Sequence, residues 1–285
     1  MASSIPASKS GRDAFAIAEE AARLAGALVA RRFRETVGAD AAGSLQVTRK
    51  GRNNLVTEVD QASERIILDI IRDEYPGFSI LAEESGRTVG NELTWLVDPV
   101  DGTRNFASGI PHVAVNIALA RGDDVLLGMT YDPLRDELFA ARAGQGATLN
   151  GKRVAAAGES LAEAVLGFDM GYVDDKGKRL LELIHGLWPR MQTVRLMGSA
   201  ALGLAWVAAG RLQIYAHHHV YPWDVAPGFL LIREAGGLAT DTRGGPARFD
   251  HEHFIAGAPL VHAEFMAATA GMAWRSGGWA RSRDG

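Results

Sequence analysis

The chain has no cysteine among its 285 residues. Disulfides, thiolate zinc sites and cysteine nucleophiles are therefore excluded, and the composition fits a cytoplasmic setting. Long apolar runs are missing too: none approaches the roughly 18 to 20 residues that cross a bilayer. The start, Met1 to Asp13, is small and polar and lacks the apolar core of a signal peptide. An excess of either charge is missing, and a net charge of −4 points to neither nucleic acid nor an anionic membrane as partner. A phosphate-cradling P-loop is also absent, because Gly144-Gln-Gly-Ala is too short and carries no lysine. That argues against a sugar kinase or another nucleotide-using enzyme. What remains is a chain of ordinary apolar content, long enough to bury a substantial core.

The stretch Trp95-Leu-Val-Asp-Pro-Val-Asp-Gly-Thr-Arg-Asn-Phe106 organises the rest. Its apolar lead-in reads as the end of a buried strand, and Pro99 and Gly102 predict a tight turn beyond it. Asp98 and Asp101, three apart on such a turn, can converge on one point. Hard divalent cations draw carboxylates together, and Mg²⁺ takes one or two of them plus substrate phosphate oxygens. Gly102 and Thr103 would then offer backbone N–H groups to a phosphate oxygen. An ordinary pair of Asp-Pro and Asp-Gly turns explains the stretch equally well when it is taken alone.

Upstream, helical spacing predicts a helix from Asp13 to Phe33 with Asp13 as cap. Lys50 lies in a basic Gly/Asn loop. Thr57 and Asp60 form a capping-box variant, and Asp60 begins an amphipathic helix that Pro76-Gly77 ends. Phe78 to Ala82 reads as a short strand with Glu83 and Glu84 at its end. Adjacent acids there are costly unless something positive meets them. If this strand and the one ending at Asp98 finish together, their acids share one edge.

After Phe106 the pattern predicts an antiparallel meander over 113–120, 125–131 and 137–142, with Asn150-Gly151 as a hairpin signal. From about residue 151 strands and helices alternate. Val165 to Phe168 and Leu212 to Ala216 read as strands, and Gly198 to Gly210 as a buried small-residue helix. Asp224 is expected as the N-cap of a helix whose first turn holds Pro227. Three histidines, His217 to His219, precede it. On an extended chain they alternate faces, so hydrogen-bonded or solvated rings are expected there and not a zinc site. The division expected is a disordered leader (1–10), two halves (11–150 and 151–274) and a loose tail (275–285).

Three stretches carry a resemblance: Ile80-Leu-Ala-Glu-Glu-Ser-Gly, the Trp95 to Phe106 stretch, and Trp223-Asp-Val-Ala-Pro-Gly with the later Glu-Ala-Gly-Gly. In this order and spacing they resemble the inositol monophosphatase family of Mg²⁺-dependent, lithium-sensitive phosphatases, over roughly residues 13 to 270. The resemblance implies an α/β fold, an alternating αβαβα layered sandwich, and a homodimer. It implies two or three Mg²⁺ ions held by Glu83, Asp98, Asp101 and Asp224, with the Val100 carbonyl and the Thr103 hydroxyl. Asp60 would help Thr103 orient the attacking water, Glu84 would support the site, and Lys50 would sit on a loop that closes over the metals. The substrate implied is a small phosphate monoester, inositol 1-phosphate-like.

One departure bears on that substrate. Where inositol-specific members carry a glutamate for the ring hydroxyls, this chain has His217, which cannot reproduce a carboxylate's paired acceptors. Another sugar phosphate, fructose 1,6-bisphosphate, 3′-phosphoadenosine 5′-phosphate or histidinol phosphate stays open, as does a binding or regulatory role on the same scaffold. Gln213 and Asn54 stand where acids are usual, and neither removes a metal ligand.

Overall fold

A computed structural model describes residues 5–37, 47–49, 55–171 and 173–276. The first half runs α1 (Ala14–Val37), β1 (Val47–Arg49), β2 (Leu55–Thr57), α2 (Glu58–Glu74), β3 (Ser79–Ala82), β4 (Gly86–Thr88), β5 (Leu93–Asp101), α3 (Thr103–Ala107) and β6 (Ala114–Arg121). It closes with β7 (Asp124–Asp132), β8 (Glu137–Arg142), β9 (Ala147–Leu149) and β10 (Lys152–Arg153). The second half runs β11 (Val165–Phe168), α4 (Asp174–Leu187), β12 (Thr193–Leu196), α5 (Ala200–Ala208) and β13 (Ile214–His218). Then come α6 (Pro222–Glu234), β14 (Leu238–Thr240), β15 (His253–Gly257), α7 (Pro259–Ala268) and α8 (Ala273–Ser276).

Two large sheets form. The first has eight strands in the order β10-β9-β8-β7-β6-β5-β3-β4, and the second has five in the order β12-β11-β13-β15-β14. The expected meander is the antiparallel run from β5 to β10. Its last hairpin turns at Asn150 and Gly151, both at positive φ, as an Asn-Gly turn requires. Each sheet also contains parallel pairs that matter below: β3 with β5, and β11 with both β12 and β13.

Strand alternation sorts the core into layers. Trp95 and Val97 pack with α1 and α2, whereas Leu96 between them faces α5 and α6. In the second sheet Tyr215 joins that same middle layer, and its neighbours Ile214 and Ala216 pack outward with α4, α7 and Trp274. Side chains one residue apart on a strand point to opposite faces. The result is the predicted sandwich: α1/α2, first sheet, α5/α6, second sheet, α4/α7/α8. A middle-layer helix has no face toward solvent, which is why α5 is apolar and buried nearly all round. Small residues let that layer close up. A Cβ on Gly228 of α6 would come within 2.5 Å of Leu204 on α5, and one on Gly128 of β7 within 2.7 Å of Pro227.

Near each end of the described chain, residues are better packed than the sequence predicts. Residues 5–10, expected as part of a disordered leader, dock on the end of α2: the Ser10 hydroxyl and backbone N–H donate to the Glu74 carboxylate, and Lys9 N–H donates to the Glu74 carbonyl. Arg275, expected in a loose tail, sits in α8 and its guanidinium donates to the Met266 carbonyl and Thr269 hydroxyl at 2.9 Å each. Residues 1–4 and 277–285 lie outside the described residues.

Candidate active site

The parallel pairing of β3 and β5 sets Ala82 beside Val97. The next residues, Glu83 just past the end of β3 and Asp98 still within β5, therefore lie side by side, and Glu83 N–H donates to the Val97 carbonyl at 3.1 Å. The acids share one edge, as expected. The turn predicted at Pro99 does not form. Instead β5 continues to Asp101 through an irregularity in its pairing with β6 between Asp98 and Asp101. A bulge suits proline, which has no N–H to lose from the ladder. The Val100 N–H bonds the Asp98 carboxylate at 3.0 Å, and Ser63 on α2 donates to the Pro99 carbonyl at 2.9 Å. Gly102 then turns at φ 94°, and a Cβ there would meet the His112 carbonyl at 2.9 Å, so only glycine fits.

Thr57 and Asp60 form the predicted capping box, with Thr57 as the cap and Asp60 in the first turn of a helix that already begins at Glu58. Asp60 Oδ2 accepts from the Thr57 N–H at 2.9 Å, which frees Oδ1 to accept from the Thr103 hydroxyl at 2.9 Å. The same hydroxyl lies 3.0 Å from the Val100 carbonyl. One capping interaction thus carries a carboxylate to the hydroxyl that follows the bulge.

The second half completes the ring of acids. Asp101 receives the Ser199 hydroxyl and the Ala201 and Ala200 N–H groups, the last two at 3.0 and 3.3 Å. A strand-end carboxylate of one half therefore caps α5 of the other, where the helix dipole favours negative charge. Asp224 is not the N-cap expected from the sequence. That position is Tyr221, and Asp224 is the third helical residue, accepting from the Tyr221 N–H at 2.8 Å. Pro227 consequently lies in the second turn and leaves the Trp223 carbonyl without its helical donor. Asn116, fully buried on β6 opposite Asp98, supplies the replacement. Its amide donates to the Trp223 carbonyl at 2.7 Å and to the Asp224 carbonyl at 2.9 Å, while its oxygen accepts from Thr130 at 2.6 Å.

Glu83, Asp98, Asp101, Gly102, Thr103 and Asp224 line one cavity of about 260 Å³. Its electrostatics are those of carboxylates short of positive charge. Burial first, then Glu83, Asp101 and Asp224, holds the Asp98 carboxyl well above the usual range. Burial and the charges of Asp101 and Glu83 do the same to Asp224. Burial pushes Asp101 up to about 6 against its three hydrogen bonds, and Asp60 to about 6 with Glu84 adding to the rise. The donor set is all oxygen, which matches a hard cation and not zinc or copper. Among the described residues no three His, Asp or Glu side chains close on one ion-sized point. A Mg²⁺ site does not require that, since one or two carboxylates per ion suffice when water and phosphate oxygens fill the remaining positions.

With this geometry in place, comparison with known proteins is decisive. The pattern of the inositol monophosphatase family matches residues 12–275. This chain belongs to that family. As a member it is 39% identical over 257 residues to "Nus factor SuhB" of Pasteurella multocida, covering 88% of this chain and 93% of that protein. It is 36% identical over 261 residues to "Inositol monophosphatase 1" of Solanum lycopersicum, covering 88% and 93%. Among solved structures, the extragenic suppressor protein suhB of Bartonella henselae superposes with a TM-score of 0.84 at 34% identity, covering 90% of this chain and 98% of that one.

The family signatures foresaw the acids but not their holders. Glu84 does not line the cavity, and its backbone N–H donates to Glu64, buried on α2, at 2.8 Å. Lys50 lies outside the described residues. His217 and His219 line the cavity and His218 turns away against Trp274, as strand alternation predicts. Asp169, Ser199 and Asn116 were not anticipated. Ser199 had a readable signal, a serine before a small-residue helix. Asn116 had none, because its role depends on a proline 111 residues away on another layer.

Proposed function

We propose that this chain is a Mg²⁺-dependent phosphomonoesterase that hydrolyses a small polyol or sugar phosphate by attack of water. The observation that carries the reading is the convergence of Glu83, Asp98, Asp101 and Asp224 on one cavity, beside a Thr103 hydroxyl already bonded to Asp60. Glu83, Asp98 and the Val100 carbonyl would hold one ion, and Asp98, Asp101 and Asp224 another, with a third admitted. When bound, the ions supply Lewis acidity, neutralising phosphate charge and making water a stronger acid.

The residues themselves do the following. Gly102 and Thr103 present backbone N–H groups to phosphate oxygens from the cavity floor. Thr103 Oγ1 orients the water and relays its proton toward Asp60 Oδ1, 2.9 Å away. An Asp60 pKa near 6 suits a group that must take up a proton and release it near neutrality. The Ser199 hydroxyl and the α5 amides fix the Asp101 carboxylate so that it need not reorganise during the reaction.

A second reading, a binding or regulatory role on this scaffold, draws support from the name of the Pasteurella relative. One assay separates the two: phosphate release with Mg²⁺ from inositol 1-phosphate, fructose 1,6-bisphosphate, histidinol phosphate, 3′-phosphoadenosine 5′-phosphate and glycerol phosphate. Turnover of a polyol or sugar monophosphate is expected, with lithium inhibiting. No release from any of them would overturn the enzyme reading.

A further inference from the structure

The phosphatase reading leaves one buried carboxylate of the cavity without a task. Asp169 is 6% exposed, lines the cavity, and belongs to none of the three signature stretches. We infer that Asp169 contacts substrate and determines specificity: with His217 it accepts hydroxyl hydrogens from the alcohol part of a small polyol phosphate. The inference rests on the phosphatase reading and adds the wall that recognises the leaving group.

The placement follows from register. Parallel pairing sets Phe168 of β11 beside Ala216 of β13, and the Asp169 N–H reaches the Ala216 carbonyl at 3.4 Å. The next residues therefore stand side by side on the cavity, Asp169 just past the end of β11 and His217 still within β13, opposite Phe254 of β15. Asp169 Oδ1 accepts from the Gly198 N–H and Oδ2 from the Tyr215 hydroxyl, each at 2.5 Å. These donors fix the plane of the carboxylate. The Met197 backbone N–H adds a weaker contact, and a carboxylate has about four acceptor positions, so acceptor capacity remains.

His217 complements it. Its Nδ1 lies 2.6 Å from the His218 carbonyl, an acceptor, so Nδ1 carries the hydrogen and Nε2 offers a lone pair. Burial lowers the ring's pKa to about 4, which keeps it neutral. The wall therefore presents neighbouring acceptors. Met170 and Leu196, 37% and 58% exposed, add apolar surface on the same cavity. Acceptors beside apolar contacts match a polyol, which has O–H donors and C–H faces. Once Asp169, pushed up to about 7 by burial, is ionised, a second phosphate on this side would meet it as a like charge, so a monophosphate is selected over a bisphosphate above that pH.

A rival explanation is that Asp169 only braces Gly198, which leads into the Ser199 cap of Asp101. Comparing two substrates, inositol 1-phosphate and phenyl phosphate, separates the two roles, because the second has no hydroxyl on its leaving group. Asp169→Asn is expected to lower kcat/KM for inositol 1-phosphate about 10- to 100-fold, mainly through KM. The loss on phenyl phosphate should be at least about tenfold smaller. Equal losses on both substrates would assign Asp169 to bracing and overturn the inference, as would an unchanged ratio. Wild-type protein that turns over neither substrate overturns this inference, whereas the phosphatase reading falls only if the wider panel above also releases no phosphate. Active wild type with an unchanged ratio in the variant removes only this one. If Asp169→Asn does not fold, Tyr215→Phe makes the same comparison: it loosens Oδ2, and a selective KM rise of a few-fold supports the inference while a uniform change overturns it.

Discussion

Each sheet ends a parallel strand pair at the cavity. From the first, β3 and β5 deliver Glu83 and Asp98; from the second, β11 and β13 deliver Asp169 and His217. The geometry is shared and the chemistry differs. In the first pair two carboxylates face each other, and the mutual charge together with burial raises the Asp98 pKa. In the second pair a carboxylate meets a neutral imidazole, and each is held by a fixed partner, Tyr215 or the His218 carbonyl. A site that gathers like charges calls for a cation. A site of satisfied acceptors with spare lone pairs calls for hydroxyl donors. On the function proposed above, the two strand pairs would give the protein a reactive wall and a recognition wall.

The largest effect expected from breaking this contrast is on the reactive wall. Asp98→Asn should lower phosphate release by more than about 100-fold, since even partners behind a metal ligand cost 10- to 100-fold. In metal-free buffer the same variant should melt at a higher temperature, because a carboxylate held far above its usual pKa opposes folding once charged. Near-normal turnover would remove Asp98 from the metal set.

Metal removal should expose the same contrast as a pH dependence. Burial raises Asp60 and Asp101 to about 6 and Asp169 to about 7, with Asp98 and Asp224 also raised. The folded state therefore binds more protons than the unfolded one above pH 4, and these groups lose stability as pH rises toward their folded values. Burial lowers His112, His217 and His253 to about 4, so the unfolded state binds their protons first, and they lose stability as pH falls from 6.5 toward 4. The two trends oppose each other below pH 6.5, and above it only the acids remain. In EDTA the melting temperature should fall as pH rises above about 6.5, and Mg²⁺ should restore it. A melting temperature that does not change with pH or metal would refute the charge-crowded reading of the first wall.

A smaller effect tests the brace between the layers. Asn116→Ala leaves the buried Trp223 and Asp224 carbonyls without this donor, costing about 1–3 kcal/mol. For a chain of this size that is a fall of several degrees, about 2–4 °C per kcal/mol. Pro227→Ala in the same background should recover part of it by restoring an N–H to α6, and the pair is to be measured as a double-mutant cycle. Independent, additive effects would mean that Asn116 does not compensate for Pro227.

The reactive wall was legible because its residues are near in sequence and local in cause. Asp98, Asp101 and Thr103 sit within six residues, and Glu83 ends a strand whose partner is the next long one. Even there the sequence predicted a turn at Pro99 where the strand in fact continues through a bulge, because pairing with β6 overrides the local preference of proline. Asp224 was singled out as a candidate site residue but placed three residues too early in its helix, at the cap, since the Tyr-Pro-Trp lead-in carries no capping side chain of its own.

The recognition wall was hardly legible. His217 drew notice because it stands where inositol-specific members of the family carry a glutamate, and Asp169 did not, because an aspartate after a short strand is ordinary until its partners are known. Those partners, Gly198 and Tyr215, lie 29 and 46 residues away. By itself the sequence determined most strands and helices, through their spacing, and, through its resemblance to the family, the layered fold and the acids that line the cavity. The tertiary structure alone decided which end of each sheet faces the cavity, how Asn116 offsets Pro227, and that Asp169 stands beside His217. The physical reason is range: capping, turns and alternation act over a few residues, whereas register and layer packing join groups whose separation along the chain carries no signal.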